Sequence, residues 1–149
     1  FSALHVDPAS ARFAYARGWN ALEAAIAVSA AVCTESAGRD CKLAAIVLPV
    51  FMPNETRRAE GFSVMDLHRF RWIYYRAQKP GLWGAFAISP LSASGLSAQA
   101  PSEQTARARA LEECRARLEW ELGEIGPTGA AAARRGGFVR CEVVHVSRP

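Results

Sequence analysis

The chain has 149 residues, of which 50% are hydrophobic and 21% are charged, and its formal net charge is +4. These proportions are typical of a globular protein and exclude a disordered chain, and the length suits one compact domain or two small lobes. The longest apolar run, Leu43–Met52, contains Pro49 and is too short to cross a bilayer, so no transmembrane segment is expected.

The excess of positive charge lies in the middle of the chain. Residues 50–82 carry six basic residues against three acidic ones, whereas residues 1–49 are balanced and residues 83–149 carry eight against seven. The pattern is a local basic patch, and a nucleic-acid-binding chain would carry a larger and wider excess. No nucleic-acid partner is therefore expected.

The first and last parts of the chain repeat each other. Residues 1–11 align with residues 83–93, and after a slip of one residue the first cysteine of each part, Cys33 and Cys114, also align. A duplicated sequence predicts the same local structure twice. We therefore divide the chain into a first repeat unit (1–49), a connector (50–82) and a second repeat unit (83–149).

Each unit begins with two short strands and a helix. An apolar stretch leads to a turn that contains proline and serine, and a second short apolar stretch follows, which together predict a hairpin. Asn20 with Glu23 resembles a capping box at the start of the first helix, and Ser102 is the expected N-cap of the second. Cys33 and Cys114 fall on the apolar stripes of these helices, so we expect both side chains to be buried.

Each unit ends in a strand that begins at its second cysteine, Cys41 or Cys141, and so reads β-β-α-β. In the second unit, Gly123–Gly137 is expected to be a longer connection before that strand. The predicted fold class is α+β, with two repeated β-β-α-β units, an extra connecting strand, and helices packed on one face of antiparallel sheet.

The extra strand is predicted within the connector. Its first part, Met52–Gly61, is polar and is expected to form a loop. Its second part, Arg69–Arg76, is rich in residues that favour strands, and period-two alternation would place Phe70, Trp72 and Tyr74 on one face. A short helix is the alternative interpretation of this segment.

The four cysteines carry the strongest chemical signal. Four cysteines permit three pairings, and the duplication favours Cys33–Cys41 with Cys114–Cys141, because this pairing repeats. Free buried thiols and a zinc site are the alternatives. The spacing argues against zinc, since the sequence contains no CxxC pair and its three histidines are scattered. We expect no metal and no cofactor.

The second unit resembles a known family. Residues 83–89 (WGAFAIS), residues 108–114 (ARALEEC) and residues 141–144 (CEVV) are similar to the small exported bacterial domain called domain of unknown function 4189. The first unit departs more, with Phe1-Ser2 in place of Trp-Gly. The resemblance implies export and disulfide bonds, and it brings no catalytic residues because the family has no settled activity.

Two sets of residues are candidates for function. Arginines alternate with aromatic residues in the connector and could stack on and pair with an anionic partner. The predicted contacts are Arg69, Phe70, Arg71, Trp72, Tyr74 and Arg76. A strand that simply buries its aromatic face is the alternative. His5 and Asp7 share a strand face and could form an acid–base pair, although the second unit has Ala87 and Ser89 there.

We therefore expect a non-catalytic binding protein that serves as an accessory subunit of an extracytoplasmic bacterial assembly. A small exported hydrolase that uses His5 and Asp7, and a secreted inhibitor or immunity-type factor, are the alternatives. The expected partner is a protein, with an anionic lipid or a glycan as further options. The expected location is periplasmic or secreted, after removal of a signal peptide, since disulfides persist in oxidising compartments.

Overall fold

The structure is a computed structural model, and it describes residues 1–48 and 61–149. The predicted loop over Met52–Gly61 lies outside these residues, apart from Gly61 itself. The described residues form an α+β fold that contains two three-stranded antiparallel sheets, which confirms the predicted fold class.

The two repeat units fold with the same strand order. In the first unit, β1 (Ser2–Val6) lies between β2 (Phe13–Ala16) and β3 (Lys42–Val47). In the second, β4 (Trp83–Ile88) lies between β5 (Ser94–Ala100) and β6 (Glu142–Ser147). A bulge interrupts the pairing of the central strand with the last strand in both units, after Leu4 and after Phe86. The duplication seen in the sequence is thus a duplication of register as well as of strand order.

A helix covers the same face of each sheet. Helix α1 (Leu22–Ala37) packs on β1 and β2, and helix α4 (Glu103–Glu124) packs on β4 and β5. The two helices differ in how their first turns are capped. Ser102 caps α4 by accepting a hydrogen bond from the Thr105 amide at 3.1 Å, as predicted. The predicted capping box of α1 is wrong, because Ala21 is the N-cap and Asn20 directs its side chain elsewhere.

Close approach between α4 and its sheet depends on a glycine. A Cβ at Gly95 would lie 2.1 Å from the Ala110 carbonyl oxygen and 2.4 Å from the Cys114 amide nitrogen. No side chain fits at such distances, so only glycine allows the helix backbone to rest directly on β5. The small residues Ala106 and Ala110, both fully buried, line the same contact.

The long connection predicted over Gly123–Gly137 contains a further helix. Helix α5 (Gly126–Arg135) packs against both α1 and α4, and its alanines join the common core of the two units. The run of four alanines explains why this segment is helical, since alanine has the highest helix propensity. The two units therefore share one hydrophobic core, with α5 between their helices.

Both predicted disulfides are present. Cys33 is bonded to Cys41 and Cys114 to Cys141, with Cα atoms 6.0 and 6.2 Å apart. Cys33 and Cys114 are fully buried, as the helical stripes predict. Each bond joins the inner face of a helix to the residue before the last strand of its unit.

The prediction of an extra connecting strand is wrong. Its residues are helical, in a run made of α2 (Val64–His68), a π-helical turn (Arg69–Tyr74) and α3 (Tyr75–Ala77). We call residues 64–77 the connector helix. It lies on the face of the second sheet opposite α4, so helices cover both faces of that sheet and not one face as predicted.

Candidate binding surface

The inner side of the connector helix is fixed to the second sheet by aromatic contacts. The rings of Phe70 and Tyr74 lie 5.3 and 5.6 Å from the ring of Phe86 on the central strand β4. The Tyr74 hydroxyl lies 2.9 Å from Nδ1 of His145 and 3.1 Å from the Ser147 hydroxyl, both on β6. Burial lowers the pKa of His145 and raises that of Tyr74, so the hydrogen bond joins two neutral groups at neutral pH.

A buried polar network fixes the first turn of the same helix. The Asp66 carboxylate, 1% exposed, accepts hydrogen bonds from Asn20 Nδ2 at 2.7 Å and from the hydroxyls of Ser63 and Ser94. Asn20 also donates to the Ser89 carbonyl at 2.9 Å. One carboxylate thus ties the connector to both repeat units, and this is what Asn20 does in place of capping α1.

Arg69 joins the connector helix to the second unit. Its guanidinium donates to the Ser94 carbonyl and hydroxyl at 3.0 and 2.8 Å, and it pairs with Glu113 of α4 at 2.8 Å. The six residues predicted to contact a partner are therefore divided. Arg69, Phe70 and Tyr74 point inward, while Arg71, Trp72 and Arg76 are exposed.

The exposed side of the connector helix is both apolar and basic. We call it the cationic face, and it consists of Val64, Met65, His68, Arg71, Trp72, Ile73, Tyr75 and Arg76, followed by Lys79. Met65 is 67% exposed, Tyr75 is 61% exposed and Trp72 is 52% exposed. The Arg76 guanidinium carbon lies 4.1 Å from the centre of the Trp72 ring, in a cation–π contact.

Among the described residues of the connector, none places a carboxylate on this face. Asp66 is the one acidic residue in the sequence between positions 61 and 82, and its side chain is buried in the network described above. A further cation lies at the end of the connector, where Arg148 Nε donates to the Gly81 carbonyl at 3.2 Å. The face therefore presents several large apolar side chains beside positive charge that no carboxylate of the segment neutralises.

Sequence reasoning missed part of this face, notably Met65 and Tyr75. The signal was available in the spacing of Met65, His68, Trp72 and Arg76, which recur every three or four residues as on one side of a helix. The alternation of arginine and aromatic residues from Arg69 to Arg76 favoured a strand instead, and the helical spacing was therefore missed.

His5 and Asp7 do not form a pair. His5 Nδ1 lies 2.8 Å from the Ser29 hydroxyl of α1, and that hydroxyl donates to the Ala25 carbonyl at 2.6 Å. His5 therefore bonds to a buried hydroxyl on α1, and Asp7 takes no part in that contact. Both His5 and Ser29 are buried, and burial lowers the pKa of His5.

Asp7 stabilises a turn. It accepts hydrogen bonds from the Ser10 hydroxyl at 2.5 Å and the Ala9 amide at 3.1 Å, and it pairs with Arg39 at 3.3 Å. These contacts lower its pKa, the Ser10 hydrogen bond being the largest cause. The equivalent Ser89 accepts a hydrogen bond from the Ala93 amide at 3.2 Å, so both units use this position to hold the hairpin turn.

A groove of about 490 Å³ lies where the two units meet. It is lined by residues of the β2–α1 loop, the β4–β5 turn and the end of α4, including Trp19, Trp120 and Glu121. Both carboxylate oxygens of Glu121 are taken by the Ser92 amide and hydroxyl, and burial raises the Glu121 pKa. This carboxylate thus holds the β4–β5 turn against α4.

The outer face of the first sheet is the counterpart of the face that the connector helix covers. Cross-strand pairing places Leu4, Phe13 and Tyr15 on this face, and Phe13 and Tyr15 are exposed. The equivalent of Leu4 in the second unit is Phe86, which is fully buried. Among the described residues, the connector helix therefore distinguishes the two units more than any difference within the sheets.

Comparison of the chain with protein-family models, with curated protein sequences and with solved structures finds no match in any of the three. The resemblance to domain of unknown function 4189 stays a prediction. Over residues 1–48 and 61–149, no group of three histidine, cysteine, aspartate or glutamate side chains is placed to hold a metal ion. None of the described helices has the length and apolar character needed to cross a membrane.

Proposed function

We propose that this is an exported, non-catalytic bacterial binding protein that holds its partner on the cationic face, as an accessory subunit of an extracytoplasmic assembly. The observation that carries the proposal is the exposure of Met65, Trp72 and Tyr75 on a helix whose other side is anchored. Monomeric proteins rarely expose large contiguous apolar patches, and tryptophan, tyrosine, methionine and arginine are the residues enriched at interfaces.

Two further observations support a binding role. The inner side of the connector helix is fixed by Phe70, Tyr74 and Asp66. The backbone that carries the exposed side chains is therefore already in place before a partner arrives, which reduces the entropy lost on binding. The helix also contains a π-helical turn, in which the Tyr75 amide donates to the Phe70 carbonyl. Such turns occur frequently at functional sites.

Export is supported by the two disulfide bonds, which form and persist in oxidising compartments. The resemblance of the second unit to an exported domain points the same way. The alternative of a hydrolase that uses His5 and Asp7 gains no support, because the two side chains have separate structural partners.

The test is affinity purification from the native source with three baits, the wild type, Trp72→Ala and Trp120→Ala. Trp120, on α4, is 67% exposed and is a matched control away from the connector. We expect the Trp72→Ala bait to lose the captured partner, with a loss of about 2 kcal/mol or more in the binding free energy, as for other anchoring aromatic residues. The Trp120→Ala bait should retain it.

Thermal unfolding of the same variants separates binding from stability. Both tryptophans are exposed, so each variant should melt close to the wild type. A protein captured equally by the wild type and Trp72→Ala would be held away from the cationic face. A Trp72→Ala protein that loses stability but keeps its affinity would assign Trp72 to the fold.

A further inference from the structure

Resting on the proposed function, we infer that the partner of the cationic face is an anionic phospholipid surface, on which the connector helix lies in the plane of the interface. A helix that binds in this way inserts apolar side chains at the boundary between headgroups and acyl chains, and its basic residues contact anionic headgroups. The cationic face contains both kinds of side chain on one exposed surface.

The apolar side chains are of the kind that membrane interfaces hold. Trp72 and Tyr75 are exposed aromatic residues with a polar atom at the ring edge, and such rings collect at the headgroup level of bilayers. Val64 and Met65, each 67% exposed, continue the same surface toward the start of the helix. These four side chains can enter the interface while the inner residues remain packed on the second sheet.

The charges are complementary to an anionic bilayer. Arg71, Arg76 and Lys79 are exposed along the face, and Arg148 lies beside Gly81 at its end. Their long aliphatic stems let the charged groups reach the headgroups while the stems cover apolar surface. The one carboxylate of this part of the connector, that of Asp66, is buried and so opposes no headgroup.

Shape distinguishes a bilayer from a protein partner. Protein interfaces centre on pockets that take anchoring side chains. The groove described above is lined by residues outside the cationic face, which is the outer side of a helix packed on a sheet. A broad, uniformly anionic surface needs no pocket, and it can contact the apolar side chains on the outer side of a helix together with the basic residues beside them.

The experiment uses co-sedimentation with vesicles of phosphatidylcholine alone and of phosphatidylcholine mixed with phosphatidylglycerol. We expect the full chain, with its disulfides intact, to bind the mixed vesicles and to ignore the neutral ones. Raising the salt from about 0.05 M to about 0.5 M should weaken binding at least about tenfold, because the Debye length shortens. Trp72→Ala and the double variant Arg71→Glu, Arg76→Glu should each lower binding about tenfold or more.

The controls are Trp120→Ala and the double variant Arg107→Glu, Arg109→Glu on the exposed side of α4, which should bind as the wild type does. Tryptophan emission measured in the Trp120→Ala background should shift to shorter wavelength when mixed vesicles are added. Circular dichroism checks that every variant is folded. If Trp72→Ala does not fold, the double variant Arg71→Glu, Arg76→Glu tests the inference in its place.

Three outcomes overturn the inference, namely no binding to mixed vesicles, equal binding to neutral vesicles, and binding that the substitutions on the cationic face leave unchanged. If mixed vesicles are ignored but a purified acidic protein partner binds in a Trp72-dependent way, the lipid inference fails and the proposed function stands. If neither binds through Trp72, both fail.

Discussion

Replacing Asp66 should destabilise the protein more than any change on its surface. The Asp66 carboxylate is the common acceptor for three buried donors, namely Asn20 Nδ2 and the hydroxyls of Ser63 and Ser94. Asp66→Ala leaves all three without that partner. A buried donor that loses its acceptor costs about 1–3 kcal/mol, and at the lower end of this range the three together cost about 3–5 kcal/mol.

That loss is a large fraction of the 5–15 kcal/mol typical of a domain, and it corresponds to a fall of about 10 °C in Tm for a chain of this size. Asp66→Asn keeps one acceptor oxygen and should lose about half as much. The assay is urea unfolding with the disulfides intact, followed by circular dichroism at constant pH. Asp40→Ala, which removes an exposed carboxylate, should change stability by less than about 0.5 kcal/mol.

A loss of less than about 1 kcal/mol for Asp66→Ala would refute this reasoning, because it would mean that the three donors find other partners or water at little cost. A change in the slope of the free energy of unfolding against urea concentration would have another cause. It would show that the connector helix detaches before the rest of the chain unfolds.

Three further outcomes are expected. Removing the Cys114–Cys141 bond should cost about 1 kcal/mol more than removing Cys33–Cys41, because it closes a 27-residue separation against 8, and urea unfolding of the paired Cys→Ala variants checks this. Gly95→Ala should lower stability by about 3 kcal/mol or more by pushing α4 off its sheet, whereas Gly123→Ala, with open space around it, should raise stability by up to about 1 kcal/mol. Since burial lowers the pKa of His145, the unfolded chain takes up a proton first as the pH falls through about 6.5, so the wild type should lose more stability than His145→Gln between about pH 7.5 and pH 5. Equal loss in both proteins would contradict this assignment.

The connector shows why a local pattern can mislead. Between Arg69 and Arg76 the sequence alternates as a strand does, yet Phe70 and Tyr74 are also four residues apart, as on one side of a helix. Phe62 and Asp66 continue that spacing, and all four side chains point inward. A window of eight residues does not distinguish the strand period of two from the helical period of about 3.6. The sixteen residues from Phe62 to Ala77 do distinguish them.

The candidate site was predicted only in part, for the same reason. Alternation placed Phe70, Trp72 and Tyr74 on one face, while the helix turns Trp72 outward and the other two inward. Arg71 and Arg76 are exposed, whereas Arg69 is held by Ser94 and Glu113, which are distant in sequence. No local pattern identifies such partners, because they are defined by the packing of α4 and the second sheet against the connector.

The sequence by itself determined the duplicated plan of this protein. Identical residues at matched positions predicted two β-β-α-β units, and the repeated cysteines predicted the disulfide pairing, since each cysteine lies on a helical stripe or at the start of a strand. These features depend on local periodicity and on the repeat, both of which are present in the chain before it folds.

Tertiary structure decided what lies between and against the units. The connector is a helix because the second sheet offers it a face with Phe86 at the centre and Gly84, where a Cβ would lie 3.0 Å from the Tyr74 hydroxyl. Asn20 could have capped α1, but burying the Asp66 carboxylate required a donor, and Asn20 supplies it. Burial of a charge and the fit of an aromatic ring depend on atoms brought together from distant parts of the chain, so both were settled only when the chain had folded.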